Sequence, residues 1–122
     1  MIFNFLFADK PNAVILPNYR KEGRKKSIGV IDSKGRLIVP AGKPIRLACR
    51  ITGSPTPRIT WLKDHKIVRA SAKYQVSKGL LEVNFADEGD AGTYVCMVEN
   101  LLGVTTVPAE VLIGGKCSRV FW

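Results

Sequence analysis

Asp90-Ala91-Gly92-Thr93-Tyr94-Val95-Cys96 decides how the rest of the chain is read. Within it Tyr94 and Cys96, and then Val98, fall two residues apart, the period of a strand that turns one face inward. Val95 and Met97 take the opposite face. Upstream, Ile45, Leu47 and Cys49 repeat the same period, and Trp61 follows that first cysteine by twelve residues. Two thiols, an indole and a phenol are thereby carried on strands far apart in sequence, which places them together only if the strands pack face to face.

The alternation extends in both directions. Ile59 and Trp61 share a face, as do Tyr74 and Val76, Leu81 and Val83, and Ala109, Val111 and Ile113. Turn residues separate these runs every eight to twelve positions: Gly53-Ser54-Pro55-Thr56-Pro57, Asp64-His65-Lys66, and Asn100 to Gly103. Short strands at that spacing predict an all-β sandwich. Ser27 to Ile31 and Arg36 to Val39 read as edge strands, the second broken by Pro40, whose missing N–H confines it to an edge or bulge. No helix of useful length and no internal repeat is expected.

The 122 residues suffice for one domain, assigned to residues 35–114. Residues 1–34 hold Pro11, Pro17 and the cluster Arg20-Lys21-Glu22-Gly23-Arg24-Lys25-Lys26 without a sustained period, and read as a basic, disordered arm. Residues 115–122, with the odd Cys117, read as a tail. The net charge of +9 divides unevenly: residues 1–35 carry seven Lys/Arg against three acids, and residues 36–113 ten against seven. The apolar runs Met1 to Ala8 and Ala13 to Leu16 fall short of the roughly 20 residues that span a bilayer. Met1 to Ala8 also lacks the basic start of a secretion signal and is interrupted by Asn4.

The stretch from Val39 to Ile113 resembles an immunoglobulin domain of the intermediate, or I, set. The residues that carry the likeness are Gly42, Leu47-Ala48-Cys49, Gly53 to Pro57, Trp61-Leu62-Lys63-Asp64, Leu81-Glu82-Val83, Asp90 to Cys96, and Val98-Glu99-Asn100 with Gly103. The resemblance implies a Greek-key β-sandwich whose fold-defining residues are Trp61, Tyr94, Leu47, Leu81 and Asp90. It implies a disulfide between Cys49 and Cys96, which would stabilise the fold by about 4 kcal/mol in the chain-entropy model; two buried free thiols are the alternative. Such a bond would indicate an oxidising compartment. It further implies an ion pair between Lys73 and Asp90.

A nearer likeness is to the second immunoglobulin domain of fibroblast growth factor receptors, carried by Val39-Pro40-Ala41, the Gly53 to Trp61 segment and Val98-Glu99-Asn100. That resemblance implies heparan sulfate binding at Lys43 and Arg46, with Lys34 and Arg36 just upstream; Ala48 lacks a further lysine of that pattern. Similar features occur in adhesion and axon-guidance proteins and in giant muscle proteins.

Alternation also assigns the outward residues. On one sheet they include Thr60, Leu62, Val95, Met97 and Leu112, and the apolar four, Leu62, Val95, Met97 and Leu112, form a candidate protein interface. On the other they are Arg46, Arg50, Glu82 and Asn84, a face expected to be solvated. Catalysis is not expected: His65, the single histidine, falls in a turn, and Asp87, Glu88 and Asp90 lie in a loop with no nucleophile among them. No cofactor is expected, and Cys117 with His65 makes no metal site without outside ligands. The basic arm lacks the interleaved aromatics that stack bases, which disfavours nucleic acid. The expectation is a non-catalytic recognition module of a secreted or cell-surface adhesion or receptor-type protein. Its partner is expected to be another protein, by homophilic contact or otherwise, with heparan sulfate as a second ligand. The alternative is a structural module of an intracellular, sarcomeric scaffold.

Overall fold

In a computed structural model, the described residues are 8–17 and 29–114. Ten strands run in chain order: β1 (Asp9–Pro17), β2 (Val30–Ile31), β3 (Leu37–Pro40), β4 (Ile45–Ser54), β5 (Arg58–Lys63), β6 (Lys66–Ile67), β7 (Tyr74–Ser77), β8 (Leu80–Val83), β9 (Gly92–Asn100) and β10 (Gly103–Gly114). They form two sheets, β1-β4-β8-β7 and β2-β3-β10-β9-β5-β6. All pairings are antiparallel except β3 with β10, which run parallel from Leu37–Val111 to Pro40–Gly114. The result is the expected Greek-key sandwich, with a 3-10 turn at Glu88–Asp90 between β8 and β9.

The inward residues named by alternation meet in one core. Val39, Ile45, Leu47, Leu81, Val83, Tyr94, Cys96, Val98 and Val111 are fully enclosed, and Trp61 nearly so. Fully burying one such side chain contributes about 1.5–3 kcal/mol, so this cluster is the main stabilising element of the domain.

Two expectations are corrected. Residues 1–34 do not form an arm throughout, because Asp9–Pro17 is a nine-residue strand paired with β4 from Asp9–Ser54 to Pro17–Leu47. Ala13 and Ile15 turn into the core while Val14 and Leu16 face out. The register slips between Asp9 and Asn12, around Pro11, which has no N–H to give. Side chains from the β9–β10 hairpin fasten the strand: Asn100 Nδ2 donates to Asp9 O at 2.8 Å, and Thr105 Oγ1 to Pro11 O at 2.9 Å. The second correction is β6, where Asp64-His65 is the tight turn of a hairpin and Lys66–Ile67 a further edge strand. The cluster Arg20 to Lys26 and Cys117 lie outside the described residues.

Candidate functional site

Cys49 on β4 and Cys96 on β9 are joined by a disulfide that ties one sheet to the other. Trp61 stands opposite Cys96 in the β5–β9 register and shares its core cluster. The tyrosine corner is assembled from three segments, the residue before β7, the 3-10 turn and β9. Tyr94 Oη donates to Asp90 O at 2.6 Å, and burial, with the Asp90 charge adding to it, pushes its phenol well above the usual tyrosine value. Asp90, with only 4% of its side chain exposed, accepts from Asp87 N at 2.8 Å and from Lys73 Nζ at 2.8 Å. Lys73 also reaches Asp87 Oδ2 at 3.3 Å.

The pair that the sequence implied, Lys73 with Asp90, is therefore one leg of a three-residue network. The hydrogen bond to Asp90, followed by the attraction of both acids, raises the Lys73 ammonium above the ordinary lysine value. The Lys73 bond holds the Asp87 carboxyl below the usual carboxylate range. These groups fix the β8–β9 loop.

On the six-stranded sheet, the apolar candidates divide. Val95 stands between Leu62 on β5 and Pro108 on β10, and Leu62 is in turn opposite Ile67 on β6. The four make one apolar row across the outer face, in which Ile67 is 54% exposed and Pro108 is exposed as well, while Leu62 and Val95 are half-buried. Met97 lies one row along, between Thr60 and Thr106. Leu112 is separate: the Thr93–Glu110 row intervenes, and Leu112 stands opposite Ile38, which pairs with Val30 on β2. Three of the candidates thus share a surface, joined by Ile67, which the sequence did not single out because β6 is only two residues long.

The polyanion candidates do not converge. Arg46 is buried, with its Nε donating to Glu82 Oε2 at 3.0 Å and side-chain exposures of 6% and 8%. The two residues are cross-strand partners of β4 and β8, so each neutralises the other and the pair is held out of water. The expectation of solvated Arg46 and Glu82 is corrected accordingly; Arg50 is exposed as expected. Arg36 Nε is bound at 2.7 Å by Asp32 Oδ2, whose carboxyl is kept below the usual range by the Arg36 backbone N–H and then by that guanidinium. Lys34 and Lys43 are exposed, but they occupy the turns at opposite ends of β3.

With that geometry in place, the sequence profile of the immunoglobulin I-set domain matches residues 30–113. The chain belongs to the I-set family. Mouse hemicentin-1 is 36% identical over 77 residues, which are 62% of this chain and 1% of hemicentin-1. A chimeric titin Z1Z2 structure superposes with a TM-score of 0.68 at 26% identity, covering 89% of this chain and 99% of that one. The N-terminal Ig1-2 module of the Drosophila receptor protein tyrosine phosphatase DLAR gives 0.58 at 26% identity over 63% of this chain and 40% of that one. This I-set chain therefore spans a small part of the longer sequence relative.

Against the I-set frame, two features of this chain went unread in the sequence. Phe85, in the loop after β8, is 80% exposed and holds a left-handed backbone with φ of 49°, a conformation that a bulky side chain rarely adopts. The β5–β6 hairpin sets Lys63 directly opposite Lys66. Neither follows from periodicity, since both depend on how a turn closes. Gly92 is required beside that turn, because a Cβ there would come within 2.5 Å of Asp64 Oδ2, which in turn is anchored by Thr93 N–H through Oδ1 at 3.0 Å.

Proposed function

We propose that this I-set domain is a non-catalytic recognition module of a secreted or cell-surface protein, of adhesion or receptor type. The observation that carries the reading is the Cys49–Cys96 disulfide at the centre of the sandwich, since a bond of this kind persists in oxidising compartments and is rare in the cytosol. The likeness to a receptor module is consistent with it. Protein contact is assigned to the outer face of the six-stranded sheet, through the partly exposed Leu62, Val95 and Met97 with the exposed Ile67, whose apolar surface can be removed from water by a partner. Heparan sulfate binding at Lys34, Arg36, Lys43 and Arg46 is not retained in the proposal, because Arg46 is buried against Glu82.

The likeness to titin, at 26% identity, supports the second reading, a load-bearing link in an intracellular muscle scaffold. Labelling of the endogenous protein with a membrane-impermeant biotin reagent, together with assay of the culture medium, separates the two. The proposal expects the protein in the medium or labelled on the cell surface. Recovery only from the sarcomeric or cytosolic fraction would overturn it.

A further inference from the structure

Two mismatches in strand length leave a gap between the sheets. β8 covers β4 only from Ile45–Val83 to Ala48–Leu80, so Ile51 lies beyond its end. β6 covers β5 only at Leu62 and Lys63, so Arg58 to Trp61 have β9 on one side and no strand on the other. Both uncovered stretches border a cleft of about 420 Å³, in the size range of small-molecule sites, lined by Ile51, Pro57, Ile59, Trp61, Val76 and Gly79 among others. Gly79 closes the β7–β8 turn in a left-handed conformation, and its carbonyl accepts from Cys49 N at 2.6 Å. Ile51, Ile59 and Val76 pack on the core and are only half-buried. One polar atom there is out of place. Trp61 is 2% exposed, and its enclosed Nε1 has no hydrogen-bond acceptor among the described residues. An indole N–H can only donate, and buried donors are nearly always paired, so an orphaned one calls for an acceptor.

We propose that this cleft binds a neutral, largely apolar small molecule carrying one hydrogen-bond acceptor, such as a ketone or ester oxygen, directed to the Trp61 indole N–H. The apolar body leaves water against Ile51, Ile59 and Val76, and the acceptor pairs a donor that solvent does not reach. Because Nε1 is enclosed, the acceptor reaches it as a lining side chain changes rotamer, a shift that commonly accompanies binding. A charged ligand is disfavoured: Lys78 is the one charged residue of the lining and it is exposed, so a charge carried inward would be buried without a partner. A peptide is disfavoured as well. β7 has a free edge of four residues, Tyr74–Ser77, but a strand added there pairs with that edge and leaves the indole N–H orphaned. The site is separate from the apolar row of the outer face, since along β5 Ile59 and Trp61 alternate with Thr60 and Leu62.

The test is an NMR titration of the full chain carrying Trp122→Phe, which leaves Trp61 as the single tryptophan. The probes are two matched pairs, 1-indanone with indane and 1-tetralone with tetralin, in which only the ketone has an acceptor. The proposal expects each ketone to bind about tenfold more tightly than its hydrocarbon and to move the Trp61 indole proton downfield. Val76→Phe, which fills the cleft, should weaken ketone binding at least about tenfold, and Lys78→Gln less than about twofold. The indole shift is read on the parent chain and decides the matter whether or not Val76→Phe folds. No binding by either ketone, equal binding of ketone and hydrocarbon, an indole proton that does not move, or a long-lived water already bound to that N–H in the free chain would each overturn the proposal. Tighter binding of a Thr-Val repeat hexapeptide, with the β7 amides protected from exchange, would overturn it in favour of strand addition.

Discussion

The outer faces of the two sheets treat charge and apolar surface in opposite ways. On β4 and β8, Arg46 and Glu82 occupy outward positions and yet are buried as a pair. On β5, β6 and β9, Leu62, Ile67 and Val95 occupy outward positions and remain partly or largely open. The contrast shows that strand alternation tells which way a side chain points and not how deep it ends. Depth is set by the neighbour across the strand: a guanidinium can leave water when a carboxylate stands opposite, whereas an apolar row has no comparable reason to be hidden unless another surface covers it.

The largest expected effect breaks the buried side of this contrast. Arg46→Met should destabilise the domain by about 3 kcal/mol in urea unfolding, because it leaves the buried Glu82 carboxylate without the guanidinium. Replacing both, Arg46→Met with Glu82→Leu, should recover most of that loss. A single substitution that costs nothing would mean that Arg46 is solvated in solution.

Between the faces, Tyr94→Phe should cost about 1 kcal/mol by the same measurement, through loss of the hydrogen bond to Asp90 O. A smaller, pH-dependent contribution comes from Lys73 and Asp87. Asp87 is held below its ordinary value, so its share of stability is present above about pH 4 and is lost as acid titrates the folded carboxyl. Lys73 is raised, so its share is present below its ordinary value near pH 10.5 and declines as pH rises through the folded value. In a pH series of unfolding midpoints, Lys73→Ala should flatten both limbs relative to wild type; unchanged limbs would remove the network from the stability account. Smallest of all, Leu62→Glu with Met97→Lys should shift unfolding by no more than about 0.5 kcal/mol, as surface changes do. The same pair should abolish partner binding or self-association measured by sedimentation, and unchanged association would take the six-stranded face out of the interface.

How much of this was legible depended on how far a residue's fate is local. Tyr94, Cys96, Leu47 and Leu81 alternate with polar or half-exposed neighbours, so their burial could be read directly. β1 could not, because Ala13 and Ile15 point inward while Val14 and Leu16, equally apolar, point outward, which erases the period-two contrast. Pro11 and Pro17 at its ends, with Arg20 to Lys26 after it, added the composition of a linker. Arg46 was misread for the complementary reason, that its burial depends on Glu82 thirty-six residues away. Of the candidate interface, Leu62, Val95 and Met97 were legible from facing alone. That Leu112 belongs to a different patch, and that Ile67 completes the row, required the strand register.

The central claim is that this I-set domain works as a disulfide-stapled module in an oxidising compartment. Thiol alkylation of protein from its native source, under denaturing conditions and without reductant, followed by peptide mass analysis, tests it most directly. The account predicts that Cys49 and Cys96 stay unmodified until a reductant is added and are recovered as one linked peptide pair. Alkylation of both cysteines without reductant would contradict it and return the domain to the cytosolic, load-bearing reading.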